Sequence, residues 1–241
     1  MQLAWDNERL IGVIGVTKPA GNACWIRLVV LTDSNHAEAR RTFNLLWREV
    51  ARQVKTLVNN IAVLIIEQWL LTLIKPLGFQ YREDIVTLRR GAERPPEVKV
   101  GFQIRQATGS DLALLQAVDR AAFDPLWQMT LHDLRNAQRI ASACTVAIDS
   151  QSQVLGYQLS TQYHRNGHLA RLAVLPSNQG RGVGAGLLTD LIWRFLRRNT
   201  QTITVNTQSR NQTSQRLYQR FGFRHNGYNL QVWMIDLNTD G

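Results

Sequence analysis

Two cysteines in 241 residues are too few for a disulfide framework, and Cys24 and Cys144 show no metal-ligand or redox spacing. No apolar run reaches the roughly 20 residues that a membrane helix needs. The nearest approach, residues 61–74, is interrupted by Glu67 and Gln68. The opening residues, Met1-Gln-Leu-Ala-Trp-Asp6, lack the charged start and apolar middle of a secretory leader. These absences set the expectation of a cytoplasmic protein with reduced thiols, no metal and no membrane partner. Charge of one sign is in excess, with a formal net charge of +10, yet no run of five like charges forms. Residues 1–95 hold 13 basic and 9 acidic side chains, and residues 96–241 hold 15 and 9. Nucleic-acid binding would favour a clustered stripe, so nucleic acid is disfavoured as the main ligand. A diffuse positive field suits an anionic small molecule. No Gly-Lys-Ser/Thr occurs, which excludes a nucleoside-triphosphate loop.

What is present is a globular composition, 44% apolar and 19% charged, with length for one large or two small domains. The most informative stretch is Arg171-Leu-Ala-Val-Leu-Pro-Ser-Asn-Gln-Gly-Arg-Gly-Val-Gly-Ala-Gly186. A strand-like run over 169–175 stops at Pro176, four glycines follow at 180, 182, 184 and 186, and an apolar helical pattern begins at Leu187. Glycines expose backbone N–H groups, and a helix start adds partial positive charge, so this is a cradle for phosphate.

The chain also carries a weak internal repeat. Arg27-Leu-Val-Val-Leu-Thr-Asp33 parallels Arg171-Leu-Ala-Val-Leu-Pro-Ser177, Leu77-Gly-Phe79 parallels Phe221-Gly-Phe223, and Leu10-Ile-Gly12 parallels Val154-Leu-Gly156, all at an offset of 144. Three matches at one offset predict a duplicated unit without net insertion. Arg89-Arg-Gly-Ala-Glu-Arg-Pro-Pro-Glu97 reads as a linker. The expected division is a first copy over 1–90, a linker over 91–98 and a second copy over 99–241. The first copy has Asn35-His-Ala-Glu-Ala-Arg40 where the second has its glycine loop, and it lacks a counterpart of roughly 45 residues at the front of the second. It reads as truncated, degenerate and structural.

Within the second copy, periodicity and turn signals predict a strand over 102–107, a helix capped by Ser110-Asp111, and a second helix over 131–140. Strands follow over 144–149, 154–163 and 168–175, then the glycine loop and a helix over 184–198. A strand over 202–206 and a helix over 211–220 come next, and Asn226-Gly227 predicts a closing hairpin. This is an α/β chain with a mixed sheet. Gly180-x-Gly182-x-x-Ala185 also fits a loose dinucleotide fingerprint, but the next strand ends in Val205-Asn-Thr-Gln-Ser209, without the carboxylate that would hold a ribose.

Gln179-Gly-Arg-Gly-Val-Gly184, after a strand ending in Ala-Val, resembles the Gln/Arg-x-x-Gly-x-Gly/Ala signature of the GNAT N-acetyltransferases. Asn211-x-x-Ser214-x-x-Leu217-Tyr218-x-x-x-Gly222-Phe223 resembles their second motif. The resemblance covers residues 102–237, and more faintly 2–90. The tandem arrangement with a decayed first copy is similar to that of mycothiol synthase and related two-domain members. It implies a tandem acyl-CoA N-acyltransferase fold and transfer of an acetyl group from acetyl-CoA to a primary amine by direct attack in a ternary complex.

The resemblance also implies residue roles. The N–H groups of Gln179, Gly180, Arg181, Gly182, Val183, Gly184 and Ala185 would hold the coenzyme A diphosphate, with the Arg181 side chain either on the phosphates or in solvent. Leu172, Ala173 and Val174 would pair with the pantetheine amides and offer an N–H to the thioester oxygen. Tyr218 stands at the family's general-acid position, the alternative being a core tyrosine; Asn211 and Ser214 would position the cosubstrate or cap the helix. No glutamate follows Glu97. The family's base positions fall on Asn206, which cannot serve, and on His168, which can accept a proton. His164, Asp124 and water stay open as bases. Asp124 and Trp127 are candidates for holding the amine, or a turn cap and a core residue. A different reading of the same motifs is a non-catalytic acyl-CoA-binding module. The motifs encode neither the identity of the amine nor the oligomeric state.

Overall fold

The computed structural model describes residues 1–32 and 35–238, so Asp33, the last position of the first repeat match, lies outside the described residues. The chain forms two compact units, one of Met1–Asp84 with Leu230–Gly241 and one of Ile85–Asn229. This division cuts inside a strand and again near the C-terminus, whereas composition alone suggests the segment 91–98.

The first unit runs β1 (Gln2–Asp6), β2 (Arg9–Val16), β3 (Ala23–Leu31), α1 (His36–Val54), β4 (Asn60–Ile65) and α2 (Trp69–Ile74), and then enters β5 (Gln80–Arg90). β1, β2 and β3 are antiparallel neighbours, and β3 runs parallel to β4. α1 is amphipathic: Phe43, Leu46, Trp47 and Val50 recur at helical spacing and pack on Ile14, Cys24, Ile61 and Val63 of the sheet.

The second unit continues with β6 (Gln103–Gln106), α3 (Leu112–Ala122), α4 (Leu131–Ile140), β7 (Ala143–Ile148), β8 (Val154–Tyr163), β9 (Asn166–Val174), α5 (Val183–Leu196), β10 (Thr202–Gln208) and α6 (Gln212–Arg220). β6 to β9 are successive antiparallel neighbours, and β9 runs parallel to β10. One face of this sheet packs on α5 and α6 through Leu169, Leu188, Leu191, Phe195, Ile203 and Val205. The other packs on α3 and α4 through Leu115, Val118, Leu134, Val146, Tyr157 and Ala173. Before α3, the cap is a reciprocal Thr108–Asp111 pair rather than Ser110-Asp111: the Asp111 carboxylate accepts from Thr108 N–H at 2.7 Å. Arg105 grips the same carboxylate with two 2.8 Å bonds and holds it well below the usual carboxylate range.

The strand that completes each sheet beside its parallel pair comes from the far repeat. Residues 85–90 of β5 pair with β10, and residues 231–236 of β11 (Arg224–Asp236) pair with β4. The predicted closing hairpin is therefore absent. Asn226-Gly227 instead bends one long strand: Gly227 takes φ 82°, and Tyr228 N–H donates to Asn226 Oδ1 at 2.9 Å. The Asn side chain closes a local turn, while the residues beyond it find their partners in β4 and not in 224–226.

Element order repeats, β1-β2-β3-α1-β4-α2-β5 against β7-β8-β9-α5-β10-α6-β11. Gly78 and Gly222, at offset 144, both take positive φ, 92° and 81°. The register corrects the offset within β3. Gly12 pairs with Leu31 where Gly156 pairs with Val174, and the extra bulge residue is Arg27 in β3 but Ala170 in β9. Arg27 and Arg171 thus match in sequence and not in position.

Candidate active site

β9 and β10 pair only from Asn166–Thr202 to Leu169–Val205. Ala170 then bulges, because the partners of β8 jump from Leu159–Arg171 to Ser160–Leu169. Beyond that point β9 stays with β8 while β10 stays with β5, so the sheet opens. A cleft of about 480 Å³ fills the opening, lined by Leu172, Ala173 and Val174 of β9, by Gln179, Gly180 and 182–185 of the loop and α5, and by Asn211, Ser214 and Leu217 at α6. The direction of the β9 backbone follows from one bond. Leu175 N–H donates to Leu155 O, so residues 173 and 171 also turn toward β8 and residues 172 and 174 turn to the open side. Val174 O indeed accepts from the Gln179 side chain at 3.2 Å.

The glycine loop leaves open space at two of its backbone positions. Gly180 and Gly182 take φ 74° and 81°, and a Cβ built on either would meet nothing within 4 Å. These glycines serve conformation and open space, not packing. Gly182 caps α5 without a side-chain hydrogen bond, so the first-turn amides have no side-chain cap. Unpaired amides at a helix start favour an anion, and a coenzyme A diphosphate fits this donor set. Gly186 differs: its Cβ would meet Phe102 and Val100 at 2.8 and 2.9 Å, so it belongs to packing.

The remaining expected residues divide. Asn211 caps α6, its Oδ1 accepting from Ser214 N–H at 3.0 Å, and both line the cleft. Arg181 is exposed and lines nothing. Tyr218 lies in the core, 4% exposed, with its ring 5.7 Å from Phe223; it is not part of the cleft wall, and burial pushes its phenol up. His168 also lies outside the wall, half-buried, with Nδ1 2.9 Å from Thr204 Oγ1. Thr204 Oγ1 also lies 3.4 Å from Gly167 O, to which it donates, an arrangement in which Nδ1 would carry the ring proton. Burial pulls the His168 pKa down. Asp124 is exposed and opens the turn 125–127, its carbonyl accepting from Trp127 N–H at 2.8 Å.

Two features escape sequence reading. Arg220 lines the cleft with Thr213 and Leu217; the i, i+4, i+7 spacing on one helix face was the available signal. The other is a buried polar cluster. Asp119, fully buried, receives two 2.8 Å bonds from Arg171, the Tyr157 hydroxyl at 2.5 Å and Met129 N–H at 2.8 Å. Arg171 also donates to Trp127 O at 2.6 Å and stacks 3.6 Å above the Phe123 ring. The cluster pins the segment between α3 and α4, whose Phe123 walls the cleft.

Residues 112–223 match the Acetyltransferase (GNAT) family. An uncharacterized N-acetyltransferase of Methanocaldococcus jannaschii is 28% identical over 122 residues, 50% of this chain and 77% of that protein. The second unit is a GNAT acetyltransferase domain. Solved structures extend the GNAT fold over both units. A GCN5-related N-acetyltransferase from Sphaerobacter thermophilus covers 96% of this chain and 78% of its own, with TM-score 0.66 and 16% identity. A tandem GNAT protein from the clavulanic acid biosynthesis pathway covers 98% and 82%, with TM-score 0.67 and 11% identity. The chain is thus an acyltransferase of tandem GNAT architecture, and a GNAT fold takes an acyl-CoA and an acceptor. Among the described residues no helix is long and apolar enough to cross a membrane.

Proposed function

We propose that the second unit transfers an acetyl group from acetyl-CoA to a primary amine, and that the first unit is a structural, degenerate copy. The observation that carries this reading is the combination of two backbone arrays: the glycine-led start of α5 and the edge of β9 at 172 and 174, which β10 leaves without a partner strand. Acetyl-CoA would supply the activated thioester. The first-turn amides at 182–185 hold the diphosphate, and Arg220 adds a cation at the wall. The open edge of β9 receives the pantetheine amides as a short added strand and donates an N–H to the thioester oxygen. Tyr218 returns a proton to the departing thiolate. An alkyl amine is mostly protonated at neutral pH, and the neutral His168 Nε2 accepts that proton, directly or through water.

Calorimetry with coenzyme A, followed by thiol release from acetyl-CoA against an amine panel, tests the reading. Saturable binding and turnover that Tyr218→Phe removes are expected. One observation favours a second reading, a non-catalytic acyl-CoA-binding module: Tyr218 is buried and absent from the cleft wall. Tight coenzyme A binding without thiol release from any amine would select it.

A further inference from the structure

The first unit holds a cleft at the place that corresponds to the acyl-CoA cleft of the second. β3 and β4 pair only from Ala23–Asn60 to Ile26–Val63, and β3 bulges at Arg27. Beyond the bulge lies a cavity of about 380 Å³, walled by the end of β3, the first turns of α1 and the outer face of α2. That volume falls in the range of small-molecule sites, about 300–1,000 Å³.

The chemistry of the wall has changed. α1 starts on Asn35, whose side chain accepts from Ala37 N–H at 2.9 Å and whose carbonyl accepts from Ala39 N–H at 2.9 Å. The Asn35 side chain thus occupies a first-turn amide that is left uncapped in α5, and no glycine opens the backbone here, so the diphosphate cradle of the second unit is not reproduced. Leu31, Ala39, Leu73 and Trp69 make an apolar surface instead, and Trp69 leaves 43% of its area open. The ionisable side chains on the wall, among the described residues, are His36 and Arg40, both exposed. An aromatic and aliphatic wall with an arginine beside it matches a ligand with an apolar body and one negative group.

We propose that this cleft binds a small amphiphilic carboxylate, with its apolar body against Trp69 and Leu73 and its carboxylate on Arg40. Two sources share that chemistry, a medium-chain fatty acid and an aromatic acid. Sodium octanoate and indole-3-acetate are the probes, and octylamine is the counter-probe of opposite charge. The measurement needs no turnover, so it stands or falls apart from the acetyl-transfer reading.

Calorimetry on the full chain is expected to give one site for at least one of the two acids and no saturable heat with octylamine. The tighter acid identifies the source. Arg40→Glu and Trp69→Ala each weaken that acid by roughly tenfold or more, with thermal melts that stay cooperative; both side chains are exposed, and Arg40→Gln repeats the charge test more gently. Gly182→Val, in the other unit, leaves the acid's affinity unchanged. The proposal is overturned by absence of heat with both acids, by octylamine binding as well as the acids, by coenzyme A displacing the acid, or by an affinity lost in Gly182→Val and kept in Arg40→Glu.

Discussion

In the second unit β9 and β10 part after Leu169 and Val205; in the first, β3 and β4 part after Ile26 and Val63, each time at a bulge in the strand that leads to the helix. Both openings hold a cavity between a strand end, a helix start and the helix after the next strand. The chemistry differs side chain by side chain. Where α5 begins on Gly182, α1 begins on Asn35. Register places Trp25 where the second unit has His168, and Leu28 where it has Arg171. At offset 144, Ile74 stands for Tyr218. The opening is a property of the sheet and survives because packing needs the strands. The positions that differ are of two kinds: Gly182 serves backbone conformation and open space, whereas Tyr218 and Arg171 are also held in the core of the second unit.

The sharpest way to break this comparison is at Tyr218. If it is the acid, Tyr218→Phe lowers the turnover number by about 10²–10⁴-fold with little change in coenzyme A affinity, while Ile74→Val in the first unit leaves turnover within twofold of wild type, as read by thiol release. Stability should separate Arg171 from its sequence match Arg27. Arg171→Met leaves the buried Asp119 carboxylate without its counter-charge, held only by the Tyr157 hydroxyl and Met129 N–H, and breaking such an ion pair costs about 3–5 kcal/mol. Arg27 is exposed over the Trp25 ring, and Arg27→Met should stay within about 0.5 kcal/mol in urea unfolding. Equal losses would mean that the two arginines do hold equivalent places.

Gly182→Val tests the cradle. A β-branched residue at φ 81° is strained by about 1–2 kcal/mol, and coenzyme A affinity should fall about a hundredfold, equivalent to about 2.7 kcal/mol; unchanged heats would remove the distinction between the helix starts. The smallest effect lies at His168. Its folded pKa is depressed by burial, so below about pH 6.5 the unfolded chain takes up a proton that the folded chain refuses. Its contribution is full above that pH and declines as the pH falls through it. His168→Gln should flatten that part of the stability curve, and a curve identical to wild type would show that His168 titrates alike in both states.

Local signals carried most of what was readable. Asn211-x-x-Ser214 is a cap because the acceptor and the amide lie three residues apart, and Gly180 and Gly182 announce positive φ because other residues pay for it. Partners chosen by the sheet were not readable. Asn226-Gly227 has hairpin chemistry, yet its strand pairs with β4, more than 160 positions earlier in the chain. The one-residue slip of β3 against β9 comes from the connection before it, one residue longer between the paired Val16 and Ile26 than between the paired Ser160 and Leu169, and a turn length leaves no residue-type signature. Asp119 and Arg171 are separated by 52 positions, and neither type suggests a core residue until the other is beside it. Gly186 joined the glycine run in sequence but answers to Phe102.

The crossed strands bear on how such a protein can be inherited. A gene cut at the Pro95-Pro96 step would leave the downstream product without residues 85–90, baring one side of β10, and the upstream product without residues 231–236, baring one side of β4. Each fragment would carry a raw strand edge open to aggregation. The upstream copy therefore cannot be deleted freely even where its cleft does no chemistry: mutation can erode that cleft or give it new work, while the exchanged strands keep the whole polypeptide in place.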